Sequence, residues 1–240
     1  MKTLNQTRTQ RRPAFTLIEL LVVIAIIGIL AALVFPAMKA AKIAGLRGKV
    51  QAEMRTVEMA IEAYKTKYGF YPPDNGFFPP KDPSLDPYKV ITNQTPNQLF
   101  YELQGTTQKG ATFETLDGGE RILQASVPVA FGTKVDGFVN VTKEGAADDS
   151  KVAQKFLNNL RTDQYSIVTT PVRYGVLVCP VPWPADKGNV IAGVPEANPW
   201  RYNSSSPLHN PKSFDLWVDV IAGGKTNRIS NWNQQYDVVN

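Results

Sequence analysis

The chain has 240 residues, of which 43% are hydrophobic and 20% are charged, a balance typical of a folded protein and not of a disordered one. The net charge of +5 is concentrated at the start, where no acidic residue offsets the four basic residues Lys2, Arg8, Arg11 and Arg12. The remaining 226 residues carry 22 Lys and Arg against 21 Asp and Glu, so most of the chain has no electrostatic basis for binding nucleic acid.

Residues that usually carry catalysis or bind metals are scarce. Cys179, the one cysteine, lies in the strand-like run 175–180, and we expect it to be a small buried apolar side chain. The one histidine, His209, lies in a polar loop, where we expect it to be solvated. The sequence holds no nucleophile, base and acid in a recognisable arrangement, and it therefore predicts a protein that is not an enzyme.

The N-terminal part is apolar over a length that fits a membrane. The run from Leu20 to Met38 has 19 residues without a charge, and a helix of about 20 residues crosses the hydrocarbon core of a bilayer. Because the basic residues precede this run, the positive-inside rule places the N-terminus in the cytoplasm. An ordinary secretory signal is shorter, and a plain signal anchor leaves Glu19, an acid inside the apolar stretch, unexplained.

The string Arg11 to Val23, read as RRPAFTLIELLVV, resembles the class III signal of type IV pilins and type II secretion pseudopilins. The resemblance implies that a prepilin peptidase cuts between Ala14 and Phe15 and methylates the new amino terminus. It also implies that Glu19, the fifth residue after the cut, pairs with the terminal ammonium group of a neighbouring subunit in a filament. Ala14 stands where the family usually has glycine, and we expect slower processing.

The resemblance implies a cleaved basic leader (1–14), a transmembrane and filament-core helix (15–38) and a periplasmic pilin-like domain (39–240). That domain would begin with an amphipathic helix over 39–68 and contain an enlarged middle region, 75–195, which matches no pattern of the family. Spacings of three and four residues predict one apolar helix face, and Gly69 is the predicted cap at its end. We expect the helix to bend or melt locally at Pro36, Gly45 and Gly48. The apolar face consists of Val50, Met54, Val57, Ile61, Tyr64 and Tyr68.

Short elements are predicted beyond this helix. Thr95 and Pro96 have the residue types of a helix start, and Gly105 of a helix end. A second helix is predicted over 150–160 from three apolar residues at spacings of four. Runs of β-branched and aromatic residues predict strands at 165–170, 173–178 and 214–220, and shorter strand-like pieces at 121–127 and 137–142.

The C-terminal part is similar to the end of the major pseudopilin of type II secretion. The segments that carry this resemblance are Asn198 to Tyr202, Ser213 to Trp217, Gly223–Gly224 and Ile229 to Trp232. In that family a glycine-rich loop binds calcium, which implies Asp219 and Asn227 as candidate ligands in this chain. Calcium prefers six to eight oxygen ligands, and between Trp217 and Trp232 the sequence offers only one carboxylate. The alternative is a loop closed by hydrogen bonds and by the tryptophans.

These observations predict an α+β protein whose long N-terminal helix packs on a small antiparallel sheet. The function implied by the resemblance is a structural subunit of a type II secretion pseudopilus. Its implied partners are a prepilin peptidase and methyltransferase, copies of itself, other pseudopilins and an inner-membrane assembly platform. It would cross the bacterial inner membrane once, with its C-terminal domain in the periplasm, and then join a filament. The alternatives are a type IV pilus or competence pilin, and an anchored periplasmic binding module that does not polymerise.

Overall fold

A computed structural model describes residues 15–76, 88, 92–145, 152–233 and 237–239. The chain divides into two compact units, one ending at Ala44 and the other beginning at Gly45. Helix α1 (Leu17–Tyr68) contributes to both units. The predicted leader, residues 1–14, lies outside the described residues. The domain boundaries proposed from the sequence therefore stay predictions.

The C-terminal part of α1 has the buried face that its sequence predicts. Val50, Ile61 and Tyr64 have no exposed surface, and Met54 and Val57 are also buried. The helix ends at Tyr68, where Gly69 adopts a φ of 83° and donates its N–H to the Lys65 carbonyl oxygen at 2.7 Å. A positive φ suits glycine, and this confirms Gly69 as the cap.

The backbone of α1 is helical at every position from 17 to 68, including Pro36, Gly45 and Gly48. Local melting at these three residues, predicted from their low helix propensity, is therefore not found. Pro36 has no N–H and removes one helix hydrogen bond, and each glycine weakens the helix by about 1 kcal/mol, but long helical runs on both sides keep the backbone helical.

The last part of the chain forms an antiparallel sheet in the order β10-β9-β8-β7. Gly223 and Gly224 join β8 to β9 with φ values of 63° and 76°, the backbone of a tight two-residue hairpin turn. One face of β8, with Leu216, Val218 and Val220, belongs to the same apolar core as the buried face of α1. The strands are β7 (Arg201–Asn203), β8 (Asp215–Ala222), β9 (Lys225–Ser230) and β10 (Asp237–Val239).

The middle region forms two further sheets and two short helices. One sheet has the order β3-β2-β1-β4, in which β1 and β4 are parallel and the other pairs antiparallel; β5 and β6 form a two-stranded antiparallel sheet. The predicted α+β class is therefore confirmed. The elements are α2 (Leu99–Gln104), β1 (Thr106–Lys109), β2 (Thr112–Thr115), β3 (Arg121–Leu123), α3 (Val127–Phe131), β4 (Val141–Lys143), β5 (Tyr165–Val168) and β6 (Tyr174–Leu177).

The helix predicted over 150–160 is wrong for the described residues 152–160, which have no helical turn. Their backbone groups bond elsewhere: the N–H groups of Phe156 and Leu157 both donate to the Leu103 carbonyl oxygen, at 2.8 and 3.2 Å. The N–H of Gln154 donates to the Asn140 side-chain oxygen at 2.9 Å. These tertiary hydrogen bonds replace the ones that a helix would make.

The start of α2 also differs from its prediction. The helix begins at Leu99, four residues after Thr95, and Asn97 lies just before it. The Asn97 side chain accepts the Leu99 N–H at 3.0 Å and donates to the Trp200 carbonyl oxygen at 2.7 Å. The predicted end at Gly105 is confirmed, since its N–H donates to the Tyr101 carbonyl oxygen at 2.9 Å. Of the two weaker strand-like pieces, only 121–123 and 141–142 lie in strands.

Candidate assembly site

The first turn of α1 is closed by a reciprocal pair of side chains, Thr16 and Glu19. The Glu19 carboxylate oxygen Oε2 accepts the backbone N–H of Thr16 at 2.8 Å and its hydroxyl at 2.7 Å. In return, the Thr16 hydroxyl oxygen accepts the backbone N–H of Glu19 at 3.3 Å. This is a capping box, in which two N–H groups left without partners at a helix start are bonded by side chains.

Phe15 and Glu19 were both predicted from the sequence as site residues, and Phe15 directly precedes the capped turn that contains Glu19. Phe15 is 74% exposed. Ala14, the predicted residue before the cut, lies outside the described residues. Thr16 was missed, although the pattern of threonine, two residues and glutamate before an apolar run is a known sequence signal for a capping box. Among the described residues, no hydrogen-bond donor contacts the second carboxylate oxygen of Glu19, Oε1.

An apolar surface extends along α1 from this turn. From Leu17 to Phe35, every large apolar side chain is between 44% and 81% exposed. By length and composition, α1 could cross a membrane. No part of its most apolar stretch is buried inside the chain. Monomeric soluble proteins rarely expose apolar patches larger than a few hundred Å². The surface therefore fits contact with lipid or with other protein chains.

The candidate calcium ligands lie on opposite faces of the C-terminal sheet. Asp219 pairs in register with Arg228, and Asn227 pairs with Val220, one position along β8. Because successive side chains of a strand point to opposite faces, Asp219 and Asn227 cannot contact one ion. The segment predicted as a glycine-rich loop is a strand, a two-residue turn and a second strand, which leaves no loop to surround a cation.

The bonding of these two residues also disfavours calcium. Both oxygens of Asp219 accept hydrogen bonds from Arg228, at 2.8 and 3.0 Å. The Asn227 side-chain oxygen accepts a hydrogen bond from Arg47 at 2.8 Å. Among the described residues, no group of three or more His, Cys, Asp and Glu side chains could hold a metal ion. The donor set does not fit calcium, and calcium at Asp219 and Asn227 stays a prediction without geometric support.

Cys179 and His209 have structural roles. Cys179 is buried as predicted, and burial raises the pKa of its thiol to about 12, which keeps it protonated and unreactive at neutral pH. His209 is partly exposed but is not simply solvated, because its ring stacks on Trp232 with centroids 4.1 Å apart. Tyr88 and Trp217 complete this aromatic cluster, as expected for a region closed by tryptophans, whereas Trp200 belongs to the main core.

One comparison with known proteins covers the N-terminal segment, and two others find similar proteins. Residues 10–35 match the family model described as the prokaryotic N-terminal methylation motif. The chain is 33% identical over 98 residues to the type II secretion system core protein G of Klebsiella michiganensis, which covers 41% of this chain and 64% of the relative. It is 41% identical over 63 residues to the protein of the same name from Klebsiella pneumoniae, covering 26% of this chain and 45% of the relative. No solved structure matches the chain significantly.

A methylation motif that leads directly into a long, exposed apolar helix, followed by a domain of mainly antiparallel sheets, defines a pilin-like protein and fits attachment to a membrane. The two similar proteins are type II secretion core proteins by name, so the motif and the similarity together support a relationship to type IV pilins and pseudopilins. The chain spans less than two thirds of the length of both relatives.

Proposed function

We propose that this protein is a structural subunit of a type II secretion pseudopilus that polymerises through its N-terminal helix. The observation that carries this proposal is the exposed apolar surface from Leu17 to Phe35, which begins at a capped turn containing Glu19. The similarity to two type II secretion core proteins favours a secretion pseudopilus over a type IV pilus. The role is mechanical and needs no catalytic group.

Cleavage after Ala14 would convert the membrane-inserted form into an assembly-competent one. It removes Lys2, Arg8, Arg11 and Arg12, whose charges hold the N-terminus at the cytoplasmic face. It also creates an ammonium group at Phe15. A prepilin peptidase and methyltransferase is therefore the first proposed partner, and an inner-membrane assembly platform the second.

In the proposed filament, the apolar helices of neighbouring copies cover one another. The ammonium group at Phe15 of one copy pairs with the Glu19 carboxylate of another, and in a surrounding of low dielectric constant an unpaired charge would be strongly unfavourable. Pairing therefore selects one axial register between copies. Because the surfaces in contact differ, the contact does not close into a ring and produces an open helical polymer of this subunit with other pseudopilins.

The proposed location follows from the same segment. Residues 15–38 cross the bacterial inner membrane once, with the N-terminus in the cytoplasm and the domain after residue 39 in the periplasm. Assembly then moves the subunit into a periplasmic filament. The sheet domain would form the outside of that filament, because its apolar residues are already covered in its own core.

The proposal is tested by replacing Glu19 with alanine in the full-length chain. Glu19→Ala should still insert and be processed, because only the pairing group is lost. Assembly should fall by at least about a hundredfold, since loss of one partner of a buried charge pair costs about 3–5 kcal/mol. The amount of polymer is measured by sedimentation and by cross-linking of membranes with a reagent that does not react with cysteine. Glu144→Ala, which removes an exposed carboxylate outside the helix, is the matched control.

Intact-mass analysis of the same samples tests processing. The wild type, Glu19→Ala and Glu144→Ala should each begin at N-methylated Phe15. A wild-type chain that retains residues 1–14 would contradict the processing step. Normal filaments with alanine at position 19 would contradict the pairing role, and a chain that remains monomeric in membranes with the full secretion system would favour a non-polymerising binding module.

A further inference from the structure

The C-terminal sheet continues into the β5–β6 hairpin through the residues that directly precede β7. The N–H of Trp200 donates to the Leu177 carbonyl oxygen at 3.2 Å, and the N–H of Cys179 donates to the Asn198 carbonyl oxygen at 2.8 Å. The two segments joined in this way are antiparallel. Six strands therefore lie side by side in the order β10-β9-β8-β7-β6-β5, and each of the five neighbouring pairs is antiparallel.

One end of this joined sheet is the outer edge of β5. The Val178 N–H donates to the Gln164 carbonyl oxygen at 2.8 Å, in the same register as the β5–β6 pairs. Because bonded and non-bonded pairs alternate along antiparallel strands, the backbone N–H and C=O groups of Tyr165 and Ile167 point away from β6. No described residue hydrogen-bonds to these backbone groups. β5 also lacks the charged side chains that commonly protect an edge strand from pairing.

The other end of the joined sheet is the outer edge of β10. The Asn231 N–H donates to the Leu216 carbonyl oxygen at 3.0 Å, in the same register as the β8–β9 pairs. By the same alternation, Arg228 directs its backbone groups towards its partner Asp237, and Val238 directs its own away from β9. Val238 is 47% exposed, and no described residue hydrogen-bonds to its backbone. The sheet is thus open at both ends.

The two open edges run in opposite directions, because five antiparallel neighbours in succession reverse the strand direction five times. When two copies share one orientation, β5 of one copy is therefore antiparallel to β10 of the next. Two β5 edges pair in an antiparallel way only across a two-fold axis perpendicular to the sheet. That axis would reverse the direction of the part of α1 that packs on the sheet. Copies whose α1 helices enter one membrane in the same direction cannot pair in that way.

We propose that, in the filament, the outer edge of β5 of one copy pairs with the outer edge of β10 of a neighbouring copy. Val238 lies opposite Ile167 in this pairing, and their backbone N–H and C=O groups form hydrogen bonds in both directions, as in other cases of strand addition. Because the contact joins two different edges, it repeats from copy to copy without closing. The inference rests on the proposed filament function and adds a contact that is separate from the one at Glu19.

Disulfide cross-linking of the full-length chain, in membranes that contain the full secretion system, tests the pairing. Residues opposite each other in a bonded antiparallel pair have Cα atoms about 5.5 Å apart, a distance that a disulfide spans. Oxidation of the double variant Ile167→Cys and Val238→Cys should give a ladder of covalent oligomers. Each single variant should give none, because the native thiol, Cys179, is buried. Dimers from a single variant would show that like edges pair and would overturn the proposal.

Hydrogen exchange of the wild-type chain tests the same contact without a substitution. The amides of Ile167 and Val238 should exchange at least about tenfold more slowly in purified filaments than in the subunit in detergent, because hydrogen bonding protects them. The amides of Arg121 and Leu123 point away from β2 at the outer edge of β3, and they are the matched control. Their exchange should be the same in both states.

A proline at the β5 edge separates pairing between copies from folding. Ile167→Pro removes the outward N–H but no bond to β6, and proline is tolerated at such edge positions. The protection of the Val238 amide in filaments should be lost in Ile167→Pro and kept in Ile167→Val, which is the matched control. Equal protection in both variants would overturn the proposal.

The two proposals fail in different ways. Wild-type filaments that show neither cross-links in the double variant nor slower exchange at Ile167 and Val238 would overturn the edge pairing and leave the filament function intact. A wild-type chain that forms no filament would overturn both. Loss of assembly in Glu19→Ala bears only on the contact between the helices.

Discussion

The two parts of α1 use apolar residues in opposite ways. From Leu17 to Phe35 the helix is almost entirely apolar, and every large apolar side chain is at least 44% exposed. From Val50 to Tyr64 the apolar residues are fewer and follow helical spacing, and each residue of the predicted face in this stretch is buried. One continuous helix therefore has a part that is covered by its own domain and a part that is not.

The difference shows that apolar content alone does not identify a surface suited to lipid or to other helices. The exposure of the apolar side chains in the folded chain is also needed. A helix that buries only one face needs charged residues on the other, as Arg55 and Glu62 provide in the C-terminal part. A helix that is apolar all round is suited to lipid or to a bundle of similar helices. Substitutions on both sides of this division test where the buried part of α1 begins and how much its burial contributes to stability.

The largest expected effect is the difference in stability loss when isoleucine is replaced by alanine in the two parts of the helix. Ile61→Ala should lower the free energy of unfolding by about 2–5 kcal/mol, because Ile61 is fully buried and its loss leaves a cavity. Ile27→Ala, at a side chain that is 59% exposed, should change it by less than about 0.5 kcal/mol. Urea unfolding of the full-length variants in mild detergent measures both. Equal losses would contradict the division.

A smaller effect is expected where the buried face carries a polar group. The Tyr64 hydroxyl donates to the Glu102 carboxylate at 2.9 Å, and both residues are fully buried. Tyr64→Phe should cost about 1–3 kcal/mol, since a buried acceptor loses a donor. Tyr174→Phe is the control, because the Tyr174 hydroxyl makes no hydrogen bond to the described residues. Similar losses in both variants would show that the Tyr64–Glu102 bond contributes little.

The cost of Tyr64→Phe should also depend on pH. Burial raises the pKa of Glu102 above its ordinary value of 4.5, so the stability that this shift contributes is present below pH 4.5 and lost as pH rises through the folded-state pKa. The Tyr64 hydroxyl favours the charged carboxylate and limits this loss. The difference between wild type and Tyr64→Phe should therefore widen as the pH rises from 4. A difference that is constant with pH would show that Glu102 does not titrate there.

The smallest effect concerns the start of the exposed part. Thr16→Val keeps the side-chain shape but removes the hydroxyl of the capping box, which should weaken the first turn by about 1 kcal/mol. Faster hydrogen exchange of the amides of Glu19 and Leu20 in micelles would report this. Thr56→Val is the control, because the Thr56 hydroxyl donates to a backbone carbonyl oxygen in the middle of α1. Unchanged exchange in Thr16→Val would show that the capping box does not hold the turn.

Much of the fold could be predicted because the signals are local. The apolar spacing of α1 and the glycine after Tyr68 are determined by residues close in sequence, and the strands β5, β6 and β8 lie where β-branched and aromatic residues cluster. The signal for the candidate assembly site is equally local, since Phe15 and Glu19 belong to one short motif, and the role of both residues stays a prediction. The capping box at Thr16 could also have been predicted from its local sequence pattern.

The rest depended on contacts between distant residues. The segment 152–160 has helical spacing, but the Leu103 and Asn140 groups bind its backbone in a non-helical form. No local pattern distinguishes the β8–β9 hairpin from a glycine-rich ligand loop, and only the pairing of Asp219 with Arg228 decides between them. Arg201 was not singled out, because arginine is usually a surface residue and only the folded sheet shows that this one is buried.

The capping box at Thr16 has a consequence for the free-energy cost of subunit addition in the proposed filament. A free glutamate side chain loses up to about 1.5–2 kcal/mol of rotational entropy when it is held in one conformation. Glu19 is already held, because its Oε2 is bonded to Thr16 within the same turn while Oε1 stays available. In the proposed filament, an incoming ammonium group would meet a preorganised acceptor, and the immobilisation of that carboxylate would not weaken the new contact.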